Sequence, residues 1–174
     1  MLMNKKFYLA LALAAFIFST PINAKAGEPR LLGTYGDWDS YIFMENGNKV
    51  CYMASKPKKS EGNYTRRGDV YALITHRPAE KTKNVFSYIT GYNYKPSSDA
   101  TVTVNGKKFI LFTQDDTAWG ADAATDEKLV KAIKTGSKMI VHGTSVRGTD
   151  TKDTFSLKGS LKAHERITKE CGYR

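Results

Sequence analysis

The stretch Trp38-Asp39-Ser40-Tyr41-Ile42-Phe43-Met44-Glu45-Asn46-Gly47-Asn48-Lys49-Val50-Cys51-Tyr52-Met53-Ala54-Ser55 decides the fold class. Two short runs rich in aromatic and apolar residues, Trp38 to Met44 and Lys49 to Ser55, flank Glu45-Asn46-Gly47-Asn48. Asn-Gly suits a type I′ turn, because both central residues must take positive φ, so the stretch reads as a β-hairpin. The signal recurs at Asn105-Gly106, between Thr101 to Val104 and Lys108 to Thr113.

Further strands follow outward from these hairpins. Val70 to Thr75 is apolar enough to be central, and Val85 to Thr90 alternates. Lys138 to Gly143 and Thr154 to Lys158 form a late pair joined by a loop rich in Gly, Thr, Ser and Asp. Residues 27–34 read as a loose leader, Pro57 to Gly68 as a basic polar loop, and Gly91 to Ser98 as a tyrosine-rich connection. Eight short strands with turn signals between them imply a mainly β sandwich or barrel rather than βαβ units. Helices interrupt the pattern twice. In Asp122 to Thr135, Leu129, Val130 and Ile133 share a stripe, with Asp122 or Thr125 as cap and Gly136 as stop. In Leu161 to Cys171, Leu161, His164, Ile167 and Cys171 share a face that would carry Cys171 inward toward Cys51.

The first 26 residues are an address. Lys5 and Lys6 precede an uncharged apolar run from Phe7 to Phe18, then Pro21 and the small residues Ala24 and Ala26. This is the order of a secretory signal peptide, with cleavage after Ala24 or, preferred, after Ala26. The run is shorter than the roughly 20 residues a membrane span needs, so no transmembrane span is expected in the processed chain. Residues 27–174 are then expected to form one domain. The full chain carries a formal net charge of +10. A basic exported protein favours anionic partners, although spread lysines also serve solubility alone.

Cys51 and Cys171 are the only cysteines. An oxidising compartment favours their pairing. The bond would close a loop of about 120 residues, for which the chain-entropy model gives roughly 4 to 5 kcal/mol. The competing readings are free thiols or a metal site, but neither cysteine has a ligand partner two to four residues away.

No catalytic motif is legible around His76, His142 or His164, and no metal or cofactor is expected. The acids Asp115, Asp116, Asp122, Asp126 and Glu127 lack the spacing of a calcium loop. They read as a solvated loop plus the acidic first turn of a helix. Cations and tyrosines interleave in three connections: Lys56, Lys58, Lys59, Tyr64, Arg66 and Arg67; then His76, Arg77, Lys81 and Lys83; then Tyr92, Tyr94 and Lys95. Such mixtures can hold carbohydrate, lipid head groups or single-stranded nucleic acid, and export argues against nucleic acid. The candidate binding surface is Lys58, Lys59, Arg66, Arg67, His76, Arg77, Tyr92 and Tyr94.

Several stretches together resemble the invasion-associated locus B family of alphaproteobacterial exported proteins. They are Gly36-Asp37-Trp38, Lys49 to Tyr52, Thr75 to Lys81, Phe112 to Thr125, Gly136 to Met139, Gly143 to Ser145, Arg147 to Thr149, and Cys171-Gly172. The resemblance includes the family's cysteine positions at Cys51 and Cys171. It implies an immunoglobulin-like β-sandwich, here with one inserted helix and a C-terminal helix. It also implies a periplasmic or outer-membrane-associated location and an association with host-cell entry in pathogenic members, and it carries over no catalytic motif. The expected function is a non-enzymatic interaction module of the envelope whose partner is an anionic envelope or host-surface component. The alternatives are an envelope hydrolase with a site assembled in space and an assembly or chaperone-like factor that lends a sheet edge.

Overall fold

A computed structural model describes residues 27–173; the signal peptide read over residues 1–26 lies outside the described residues. The fold is mainly β. Its strands are β1 (Arg30–Tyr35), β2 (Trp38–Glu45), β3 (Asn48–Ser55), β4 (Lys59–Gly62), β5 (Tyr71–Arg77), β6 (Thr82–Ile89), β7 (Asp99–Val104), β8 (Lys107–Gln114), β9 (Thr117–Trp119), β10 (Lys138–Thr144) and β11 (Asp150–Ser156). Two helices, α1 (Ala123–Thr135) and α2 (Ser160–Glu170), accompany them.

All eleven strands form one antiparallel sheet in the order β1-β2-β3-β5-β6-β9-β8-β7-β10-β11-β4. Period-two alternation sends Ala72, Ile74 and His76 of β5, and Asn84, Phe86 and Tyr88 of β6, to the inner face. The sheet curls on itself. Tyr88 on β6 meets Phe155 on β11 edge to face, with ring centroids 6.1 Å apart. Trp38 on β2 donates its indole N–H to the Ser156 carbonyl at 3.1 Å. Two facing layers result, compatible with an immunoglobulin-like sandwich.

The helices cover the part of the inner face that the facing layer leaves open. Leu129, Val130 and Ile133 of α1 are buried, as are Ala163, His164 and Ile167 of α2. Asp122 caps α1 by accepting from the Thr125 backbone N–H at 2.7 Å. Cys171 follows α2 directly and is disulfide-bonded to Cys51 on β3, with Cα atoms 6.0 Å apart.

The structure corrects the sequence reading at several points, among them the face of α2, where Leu161 is exposed and Ser160, Ala163, His164 and Ile167 are buried, and the unexpected strand β9. Residues 30–35 are not a loose leader but the edge strand β1, paired with β2 through a bulge at Leu31/Gly33. The basic loop contains β4, which pairs with β11 from Lys59↔Thr154 to Gly62↔Thr151. Its sequence Lys-Ser-Glu-Gly has no apolar residue, so it gave no periodic signal. Asp126 lies in the first turn of α1 as expected, but there it is buried rather than free for solvent: it is 7% exposed and accepts from the Phe86 backbone N–H at 3.3 Å. Burial pushes its carboxyl up to about 6, against the opposing pull of that hydrogen bond.

Candidate anion-binding cleft

The β4–β5 connection, the β6–β7 connection and the β10–β11 hairpin loop meet at one end of the fold. They enclose a cleft of about 580 Å³ lined by Tyr64, Arg66, Arg67, Tyr92, Asn93 and Arg147, with Asn63, Thr65, Ser145, Val146, Thr149 and Thr151. Topology makes this meeting. Pairing of β4 with β11 delivers residues 63–67 to the side of the loop that precedes β11. The bridge between Tyr94 and Ser145 brings the third connection against them.

Arg67 is the floor. Its guanidinium lies in the interior and grips Asp153 of β11 with two nitrogens, at 2.9 and 2.7 Å. It also donates to the Thr90 carbonyl at 2.7 Å and to the Tyr88 hydroxyl at 3.2 Å. The Tyr88 hydroxyl in turn donates to Asp153. Burial is the strongest single influence and would lower the pKa of Arg67, but the hydrogen bond and charge of Asp153, with Tyr88 and Tyr64, together outweigh it and hold the cation above its ordinary value. Tyr64 and Tyr92 lie 5.5 and 5.0 Å from the guanidinium carbon by their ring centroids, so both rings pack against the cation and wall the cleft above it. The Arg67 charge is therefore neutralised and structural.

Arg66 and Arg147 are different. Both are exposed, both line the cleft, and neither is paired with a carboxylate among the described residues. No Asp or Glu lines the cleft. An anion entering it meets guanidinium groups from separate loops, amide and hydroxyl donors, and Tyr92, whose hydroxyl bonds Thr151 at 2.7 Å.

The structure does not bring the eight residues singled out from the sequence onto one surface. Arg66, Arg67 and Tyr92 meet in the cleft. Tyr94 stands behind it, 5% exposed, with burial first among the causes raising its pKa. Lys58 is paired with Asp37, and Lys59 on β4 with Glu61. Arg77 lies at the other end of β5, bound to Glu45. His76 is buried beneath α2 and bonds Thr168 at 3.2 Å. Arg147 was missed, because it sits in a loop whose neighbours are remote in sequence. The available signal was the loop's position between two strands of a hairpin, the last of which borders β4. Among the described residues no group of three or more His, Cys, Asp or Glu converges as a metal site.

These features define a class: an antiparallel β scaffold with a stapled C-terminal helix and a cationic cleft built from loops. The chain belongs to the family described as invasion associated locus B (IalB) protein, which it matches over residues 38–168. Its fold is similar to the crystal structure of invasion associated protein B from Bartonella henselae, with a TM-score of 0.55 at 16% sequence identity. The match covers 79% of this chain and 95% of that one. No curated protein matches by sequence.

Proposed function

We propose that this chain is an exported, non-enzymatic binding module of the bacterial envelope that engages an anionic component of the envelope or of a host surface. In this reading it takes part in the host-cell invasion for which its family is named. The observation that carries the reading is the convergence of exposed Arg66 and Arg147 over a cleft without a carboxylate. Loops on a rigid sheet are suited to recognition, and unpaired cations there cost no ion pair on ligand entry. The hydrolase alternative draws less support. His76 and His164 are engaged with Asn84 and Thr168 in a buried cluster remote from the cleft.

The test compares Arg66→Ala/Arg147→Ala with Lys128→Ala/Lys131→Ala, which removes the same charge from the exposed face of α1. Binding of each to a sulfated polysaccharide is measured at low and high salt. The cleft variant is expected to bind about tenfold more weakly at low salt, while the helix variant retains its affinity. Equal losses in both would mean that net charge alone attracts the polyanion, and would overturn the reading.

A further inference from the structure

The cationic cleft does not end at Tyr92. A shallow groove of about 440 Å³ adjoins it, lined by Asp69, Tyr71, Tyr92, Asn93 and Asp116 among others. Tyr71 in turn borders a third depression of about 590 Å³ on the outer face of β2, β3 and β5, together with Asp39, Tyr41, Tyr52, Lys56 and Lys58. Tyr92 and Asn93 are shared by the first pair of hollows and Tyr71 by the second, so the three are neighbours in a row across the surface.

The chemistry changes along this path. At one end stand Arg66 and Arg147 without a carboxylate. At the other, the Tyr41 and Tyr52 rings stack with centroids 5.0 Å apart, and Tyr41 donates to Asp39 at 3.4 Å. Lys56 lies 5.0 Å over the Tyr71 ring. Aromatic faces interleaved with carboxylates, amides and phenol hydroxyls suit a ligand whose units have an apolar C–H face and a hydroxyl rim. A sugar ring is such a unit. A compact head group would fill the arginine cleft and leave the tyrosines unused. An extended peptide is the competing occupant, since Ala54, Leu73 and Ile89 also line the path; the carboxylates and amide of Asp39, Asp69 and Asn93 beside the rings favour hydroxyl-rich units over it.

We propose that the three hollows form one track for an extended acidic glycan, with acidic sugar units at Arg66 and Arg147 and neutral hydroxylated units along Tyr92, Tyr71, Tyr52 and Tyr41. The arginine end rests on the anion-binding reading above; the tyrosine end does not. Contact with several units at once makes affinity grow with chain length, because later units bind with the first already held.

The test is calorimetric titration of the protein with a ladder that starts from one uronic acid disaccharide and extends it by two and by six neutral hexose units. Affinity is expected to rise about tenfold or more from the shortest to the longest. Tyr71→Leu, which keeps an apolar side chain on the outer face of β5, should abolish the gain with length and leave disaccharide binding unchanged. Tyr52→Leu should do the same, and thermal melts of both variants confirm that the fold persists. Length-independent affinity, a length gain that survives both tyrosine variants, or equal binding of an acidic peptide of similar length would overturn the track. If Arg66→Ala/Arg147→Ala leaves disaccharide binding unchanged, the anion-cleft reading fails instead, and a tyrosine-dependent length gain would still identify the rest of the path.

Discussion

His76 and His164 are linked through Asn84 and Thr168, and the hydrogen bonds of His76 leave it no room for a further proton. His76 Nδ1 accepts from the Asn84 backbone N–H at 3.0 Å, so its other nitrogen carries the hydrogen and donates to Thr168. His164 Nε2 lies 2.7 Å from the Asn84 side-chain oxygen and donates to it. A proton added to His76 would set N–H against N–H. Burial, with Lys134, neighbouring His76 and Lys83 adding to it, pushes His164 down to about 3, and burial lowers His76 as well. For both histidines the folded pKa is below the unfolded one, so the folded state binds fewer protons and stability falls as pH drops below about 6.5. Asp126 works oppositely. Its folded value of about 6 exceeds the ordinary 3.8, so it favours folding as pH falls from about 6 toward 3.8. Each group contributes a slope of at most about 1.4 kcal/mol per pH unit. Asp126→Asn should therefore steepen the loss of stability between pH 6 and 4.5, and His164→Asn should flatten or reverse it. Urea unfolding midpoints across that range measure both slopes, and identical slopes in the two variants would refute the assignment.

At the scale of elements, the turns carry the topology. Asn105 and Gly106 between β7 and β8 have φ of 47° and 84°, the left-handed pair that the Asn-Gly signal requires. A Cβ at Gly106 would meet nothing within 4 Å, so Gly106→Ala costs only the strain of an L side chain at positive φ, about 1 kcal/mol. Gly159 also has positive φ, 89°, but it enters α2 against the backbone of Tyr35 and Gly36. Gly159→Ala adds a backbone clash to the strain and should destabilise several-fold more. Thermal melts of the two variants decide the order. This contrast also marks what the sequence made legible. The hairpins, β5, β6 and both helices carry apolar periodicity and turn residues, so their positions follow from local rules. Strands β4 and β9 do not, because their pairing is supplied by β11, β6 and β8. The cleft was half legible for the same reason. Arg66, Arg67 and Tyr92 announce themselves by composition, but the burial of Arg67 depends on Asp153, 86 residues away, and the place of Arg147 depends on the partner of β4.

At the scale of the whole molecule, the disulfide and the cleft occupy opposite ends of β5 and β6. Cys51 lies opposite His76 in the β3–β5 register, whereas Arg67 bonds the Thr90 carbonyl just beyond the other end of β6. The bond spans 120 residues of chain, from β3 to the end of α2, and so encloses most of the core elements rather than one local loop. Its stabilisation acts on the unfolded chain and amounts to roughly 4 to 5 kcal/mol in the entropy model. Removing it by Cys51→Ala/Cys171→Ala should lower the melting temperature markedly without altering the cleft, whose shape is fixed by Arg67, Asp153 and the β4–β11 pairing. Polyanion binding measured well below the melting temperature should therefore match the parent protein, while the thermal midpoint falls. If binding fell in step with the midpoint while circular dichroism stayed native, the cleft would be held by α2 and its staple rather than by the buried ion pair. Retained binding with lowered stability would place recognition in the curled sheet and endurance in the covalent tie.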